Sequence, residues 1–140
     1  MYVLNIATFP TSHLPKFSVQ SGIHILQLVG TNLPETILNH LTMKDCNARY
    51  LNLSMSKINQ AGFTTCDLRN SDFNDCKLTS IAFTNCELVE AEFSHTPLRG
   101  IDLSDSHIEG IHVNLPDIRG AIVSTHQAMD LTSLLGLVIK

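Results

Sequence analysis

Basic residues are scarce in this chain. Nine Lys and Arg stand against 13 Asp and Glu, a formal net charge of −4, and that balance offers no footprint for a surface that grips nucleic acid directly. No apolar run approaches the roughly 18–20 residues needed to cross a bilayer, and the N-terminus lacks the basic start and continuous apolar stretch of a signal peptide. A cytoplasmic protein without membrane contact is expected. The four cysteines, Cys46, Cys66, Cys76 and Cys86, include no closely spaced pair of the kind that holds zinc. A glycine-rich phosphate loop is missing too, since GIHVNLPDIRG has the wrong spacing, and no nucleophile motif surrounds any serine. These absences argue against an enzyme, a metal site and a cofactor. The length, 140 residues, suits one domain with a sizeable core.

What is present is a repeat of five. Every position ending in 3 or 8 from Ile23 to Val123 is apolar, 21 of 21. At the observed hydrophobic content the chance of this is on the order of 10⁻⁸ before allowing for the choice of register. Two residues before each, the row is mostly small, with Cys46, Ser56, Ala61, Cys66, Ser71, Cys76, Cys86, Ala91, Thr96 and Ser106 in it. A period of five fits neither the 3.6 of a helix nor the two of a half-buried strand. The chain must instead bring one large and one small side chain inward, turn, and repeat. Each cysteine then reads as a small buried hydrophobe rather than a redox or metal ligand. His107 and His112, a close histidine pair, fall on adjacent faces with outward side chains.

The segments CDLRN (66–70), SDFND (71–75), CKLTS (76–80), CELVE (86–90), AEFSH (91–95) and IDLSD (101–105) resemble the pentapeptide-repeat family, whose pattern is A-[DN]-[LF]-x-x. The resemblance implies an all-β solenoid, a right-handed quadrilateral β-helix with twenty residues to a coil and residues twenty apart stacked about 4.8 Å apart. Phe63 and Phe83 then share one face, and Phe73 and Phe93 the opposite one. Glycines at 100, 110 and 120 fall at corners that favour positive φ. The expected organisation is an N-terminal cap or irregular extension over 1–35, the β-helix over 36–123, and a C-terminal helix with a short strand over 124–140. About 4.5 coils give a rod of roughly 22 Å.

At the C-terminus Ser124-Thr-His-Gln127 is a capping box that opens a helix, Gly136 is placed to end it, and Leu137-Val138-Ile139 reads as a short strand. A solenoid needs its open end covered. The segment carries more apolar surface than a cap needs. It resembles the C-terminal helix and strand through which quinolone-resistance pentapeptide proteins form end-to-end dimers, which implies dimerisation through Leu131, Leu134, Leu135, Leu137, Val138 and Ile139.

Acidic residues crowd the middle of the repeat. Between Asp67 and Asp117 lie ten acids against Arg69, Lys77 and Arg99. In the coil Asp67 sits below Glu87, and Asp72 below Glu92, so two adjacent faces carry columns of like charge. Asp67, Asp72, Asp75, Glu87, Glu90, Glu92, Asp102 and Asp105 are therefore the candidate partner-binding residues. The resemblance to the quinolone-resistance proteins implies a DNA-mimicking rod that binds the type II topoisomerases gyrase and topoisomerase IV. The competing expectation is a solenoid interaction module with some other protein partner. The register runs without an inserted loop, and the rod is about half as long as those relatives, so binding could survive where drug protection does not.

Overall fold

The computed structural model describes residues 27–140 and, before them, the backbone of two short strands. A side chain reaches the interior only at two of every five positions, and these are the two rows read from the sequence. Leu28, Leu33, Leu38, Met43, Ala48, Leu53, Ile58, Phe63, Leu68 and Phe73 are buried, as are their counterparts to Val113, save Leu78. The chain forms a right-handed quadrilateral β-helix.

The strands are β1 (Phe17–Ser18), β2 (Gly22–His24), β3 (Ile37–Asn39), β4 (Thr42–Lys44), β5 (Lys57–Thr64) and β6 (Lys77–Thr84). All pair in parallel with a register of twenty or twenty-one residues: Gly22 with Thr42, Lys57 with Lys77, Phe63 with Phe83, and Phe17 with Leu38. Single bridges continue the same ladder, from Gln27 with Asn47 to Asp102 with Ile122. Most of the cap expected over 1–35 lies outside the described residues. Within that span β1 and β2 already pair with β3 and β4, and Leu28 and Leu33 are buried in the rod.

We name the four sides by the residues that form them: face A (47–51, 67–71, 87–91, 107–111), face B (52–56, 72–76, 92–96, 112–116), face C (57–61, 77–81, 97–101, 117–121) and face D (62–66, 82–86, 102–106). Phe63 stacks under Phe83 at 5.2 Å on face D, and Phe73 under Phe93 at 5.0 Å on face B. The two stacks meet edge to face across the interior at 6.0–6.3 Å, the geometry that the ring quadrupole favours.

Every corner from Gly30 to Gly100 has a positive φ, and thirteen of these residues are not glycine. Such residues pay a steric cost of roughly 1–2 kcal/mol each. Asn70 is one of them, with a φ of 57°, a region Asn enters far more easily than Ala, so Asn70→Ala is not neutral although the side chain lies on the surface. At Gly110 the corner has a second constraint, because an added Cβ would lie 2.8 Å from Glu90 Oε1. Hydroxyls in the small row satisfy backbone groups that the corners leave over. Thr96 Oγ1 donates to Phe73 O and accepts from Cys76 N, and Ser71 Oγ donates to Leu68 O.

After a short helix α1 (Leu115–Ile118), Ser124 opens α2 (Thr125–Leu131), followed by a 3-10 turn Thr132–Leu135. The capping box forms as expected, with Gln127 N donating to Ser124 Oγ and Ser124 N to Gln127 Oε1. Gly136 closes the segment with φ 68°. The strand expected over Leu137–Ile139 does not form, because a strand needs an edge to pair with and this single chain supplies none there.

Candidate partner-binding surface

The two columns start as amides and end as imidazoles. On face A the stack runs Asn47, Asp67, Glu87, His107, and on face B it runs Asn32, Asn52, Asp72, Glu92, His112. Below the acids an amide ladder holds adjacent coils, Asn52 Nδ2 donating to Asn32 Oδ1 at 2.7 Å. Carboxylates cannot continue it, having no donor. They turn to their own backbone instead: Asp72 Oδ1 accepts from Asn74 N at 2.8 Å, Glu92 Oε1 from Ser94 N at 2.8 Å and Asp102 Oδ1 from Ser104 N at 2.9 Å. The preference for Asp or Asn at this place in the pentad thus has a local structural reason.

Not every acid is equally available. Asp67 accepts from Arg69 Nε and Nη2 at 2.8 and 2.6 Å and is only 22% exposed; the guanidinium holds its carboxyl below the usual carboxylate range. Glu87 accepts from His107 Nδ1 at 2.8 Å, and this contact raises the imidazole above its ordinary value. Asp75 and Glu90 are about half exposed, each 3.7 Å from a histidine, His95 and His112 respectively.

Of the residues read from the sequence, Asp67, Glu87 and Glu90 lie on face A and Asp72, Asp75 and Glu92 on face B, so these six share one wall. Asp102 and Asp105 lie on face D, across the rod from face B. Cations were missed as a group because only the acids were laid out by column. Lys57, Lys77, Arg99 and Arg119 all sit exposed on face C, opposite face A, with Asp117 the sole acid among them. Among the described residues none of the four makes a salt bridge. The rod is acidic on one side and basic on another, not a uniformly acidic cylinder.

The cysteines face the interior. Each is at most 3% exposed and none forms a disulfide. The Cys66, Cys76 and Cys86 thiols donate to carbonyls of the coil before, at 3.4, 3.0 and 3.2 Å. Burial pushes Cys76 up to about 11, which keeps it a thiol at neutral pH. Among the described residues no three His, Cys, Asp or Glu side chains are grouped to hold a metal ion, and no helix is long and apolar enough to cross a membrane.

The coil geometry and the sequence model agree. Residues 26–93 match the family model described as pentapeptide repeat region. That stretch belongs to the pentapeptide-repeat family. No curated protein matches the sequence. Among solved structures the protein is similar to HetL, a pentapeptide repeat protein involved in heterocyst differentiation regulation from the cyanobacterium Nostoc sp. strain PCC 7120, at 14% identity and a TM-score of 0.46 over 69% of this chain and 48% of that one. It thus spans about half the length of HetL. It is also similar to a trypsin-treated form of QnrB1, a plasmid-mediated fluoroquinolone resistance protein, at 16% identity and a TM-score of 0.37 over 83% and 79%. Rfr23, from the cyanobacterium Cyanothece 51142, matches at 12% identity and a TM-score of 0.25 over 66% and 64%. Similarity at this level carries no partner from those proteins to this one.

Proposed function

We propose that this protein acts by binding, in the cytoplasm, and that its acidic wall takes the place of DNA on a type II topoisomerase. The observation that supports this most is the register of Asp67 under Glu87 and Asp72 under Glu92 on adjacent faces. It repeats negative charge at about 4.8 Å along the rod, of the same order as the roughly 3.4 Å axial spacing of phosphates along one DNA strand. A second reading, an interaction module for some other protein, is favoured by the basic face C, which a wholly DNA-like rod would not carry.

The C-terminal segment is proposed as the dimer interface. Leu131 and Leu134 already pack against the rod, whereas Leu135, Leu137, Val138 and Ile139 are left exposed, Val138 by 85%. A two-fold contact through these residues would cover them and double the length of the acidic wall. Leu135→Asp is expected to convert dimer to monomer while leaving the β-helix intact, since it would bury an unpaired charge at the contact. Sedimentation of the parent as a monomer at tens of micromolar would remove the dimer.

The binding reading is tested with purified protein and gyrase, in a supercoiling and DNA-competition assay at low and high salt, with and without a fluoroquinolone. Competition with DNA that fades as salt rises is expected. Absence of gyrase binding at low salt would leave the other module reading in its place.

A further inference from the structure

The backbone ladder of the rod is interrupted in one place. On faces A and B the coils are joined up to the last: Leu88 N donates to His107 O, Glu90 N to Glu109 O, Phe93 N to His112 O, His107 N to Cys86 O and His112 N to Ala91 O, all at 2.7–3.0 Å. On faces C and D, β6 pairs with β5 below it over its whole length, yet no backbone hydrogen bond or bridge joins residues 77–85 to residues 97–105 above. The upper stretch bonds onward instead, through Leu98 N to Asp117 O, Gly100 N to Gly120 O and Leu103 N to Ile122 O, each at 2.8 Å.

The sequence supplies two causes at this boundary. Lys57 N and Lys77 N each donate to the coil below at 2.9 Å, but their successor in the column is Pro97, which has no N–H. In the small row, Ile81 lies under Ile101. Every other vertical neighbour of a bulky residue in that row is small among the described residues, as in Leu41 over or under Ala61, and Ile101 under Ala121. Two stacked β-branched side chains overfill the corner between faces C and D. The consequence is visible in exposure: Leu78 and Ile81 are only partly buried, whereas Ile58, Leu68, Leu88 and Leu98 are fully buried.

The closed side of the same boundary carries two histidine clasps. His107 Nδ1 meets Glu87 Oε1 at 2.8 Å, and His112 Nε2 lies 3.7 Å from Glu90 Oε2. We propose that residues 97–140 form a unit hinged on faces A and B, which opens at the seam on faces C and D, and that protonation of His107 tightens the hinge. Glu87 and Glu109 act on His107; Glu90 and, in register below it, Glu92 face His112. From α2, His126 lies 3.7 Å from Asp130, and Gln127 is bound to backbone carbonyls. The Glu87 carboxylate favours the His107 imidazolium, so that clasp is present at acidic pH and lost as pH rises through the elevated His107 value. Because the hinge separates most of the acidic wall from the C-terminal segment, it sets the angle between the wall and anything that segment contacts.

Amide hydrogen exchange of the full chain, corrected for intrinsic rates, reads both parts of the proposal. Amides of 78–85 should be protected about tenfold less than those of 58–65, which pair with β6. Pro97→Ala restores a donor opposite Cys76 O and should raise protection of 77–85. Glu87→Gln should speed exchange in 106–113 at a pH below the elevated His107 value and leave it unchanged well above that value, where this imidazole is neutral in both proteins. Equal protection of 58–65 and 78–85 would overturn the seam. The same pH response in the parent and in Glu87→Gln would overturn the clasp, whatever the outcome of gyrase binding.

Discussion

Gln127 holds the C-terminal cap to the rod, and its replacement should be the most damaging change outside the aromatic stack. Its side chain is 93% removed from solvent, with 7% exposure. It accepts from Ser124 N at 2.8 Å and donates through Nε2 to Leu103 O at 2.8 Å and Ser106 O at 2.6 Å. Both carbonyls belong to buried residues of the last full coil, where no further coil can satisfy Ser106 O. Gln127→Ala leaves Ser124 N and Ser106 O without partners, while Leu103 O keeps the hydrogen bond it accepts from Ser106 N. At roughly 1–3 kcal/mol for each of the two groups still shielded, less whatever water recovers as the cap frays, a loss of about 2–4 kcal/mol is expected. Gln127→Glu separates the two roles. The carboxylate still accepts from Ser124 N but cannot donate to the carbonyls, so at neutral pH it should also destabilise, and it should recover part of the loss in acid, where it regains a donor. Urea denaturation of the three proteins at neutral and acidic pH gives the comparison. An alanine variant within about 0.5 kcal/mol of the parent, the range of ordinary surface substitutions, would refute the pin.

Three further outcomes follow from the interior and the corners. Phe73→Ala, which removes a fully buried ring stacked on Phe93, should cost about 3–5 kcal/mol in chemical denaturation, against almost nothing for Lys57→Ala; equal effects would mean the register is wrong. Thr65 is β-branched with a φ of 53°, so Thr65→Gly should raise stability by about 0.5–1 kcal/mol, and a loss of stability would count against strain at that corner. A thiol reagent should leave all four cysteines unmodified in the native protein and label them in denaturant; rapid native labelling of Cys66 would contradict its inward position.

The coil could be read from residue numbers because in a solenoid the inward positions recur at a fixed interval, so Phe63, Phe73, Phe83 and Phe93 announce both the register and their own stacking. The capping box was legible for the same reason, since Ser124 and Gln127 interact within one turn of helix. The downward reach of Gln127 was not, because it depends on how α2 settles over the final coil. Corner strain at Asn70 or Thr65 is a backbone property that no side-chain pattern reveals. The expected strand at Leu137–Ile139 failed because β-propensity without a neighbouring edge has nothing to pair with. Two features were written in the sequence and passed over. Laying out cations by column would have set Lys57 and Lys77 on one face, and comparing the small row coil by coil would have found Ile81 beneath Ile101 with Pro97 alongside.

The most direct measurement of the proposed role is gyrase affinity of a variant with Asp72, Glu87, Glu90 and Glu92 replaced by their amides. Asp67 is left in place because its charge is already held by Arg69. The substitutions leave the core untouched and relieve repulsion within the columns, so stability should not fall by more than the small contribution of the exposed histidine contacts. Binding should weaken by about 2 kcal/mol or more if the wall forms the contact, with a shallower dependence on salt. Weaker binding by a protein as stable as the parent is the result the account predicts; unchanged affinity and an unchanged salt slope would contradict it.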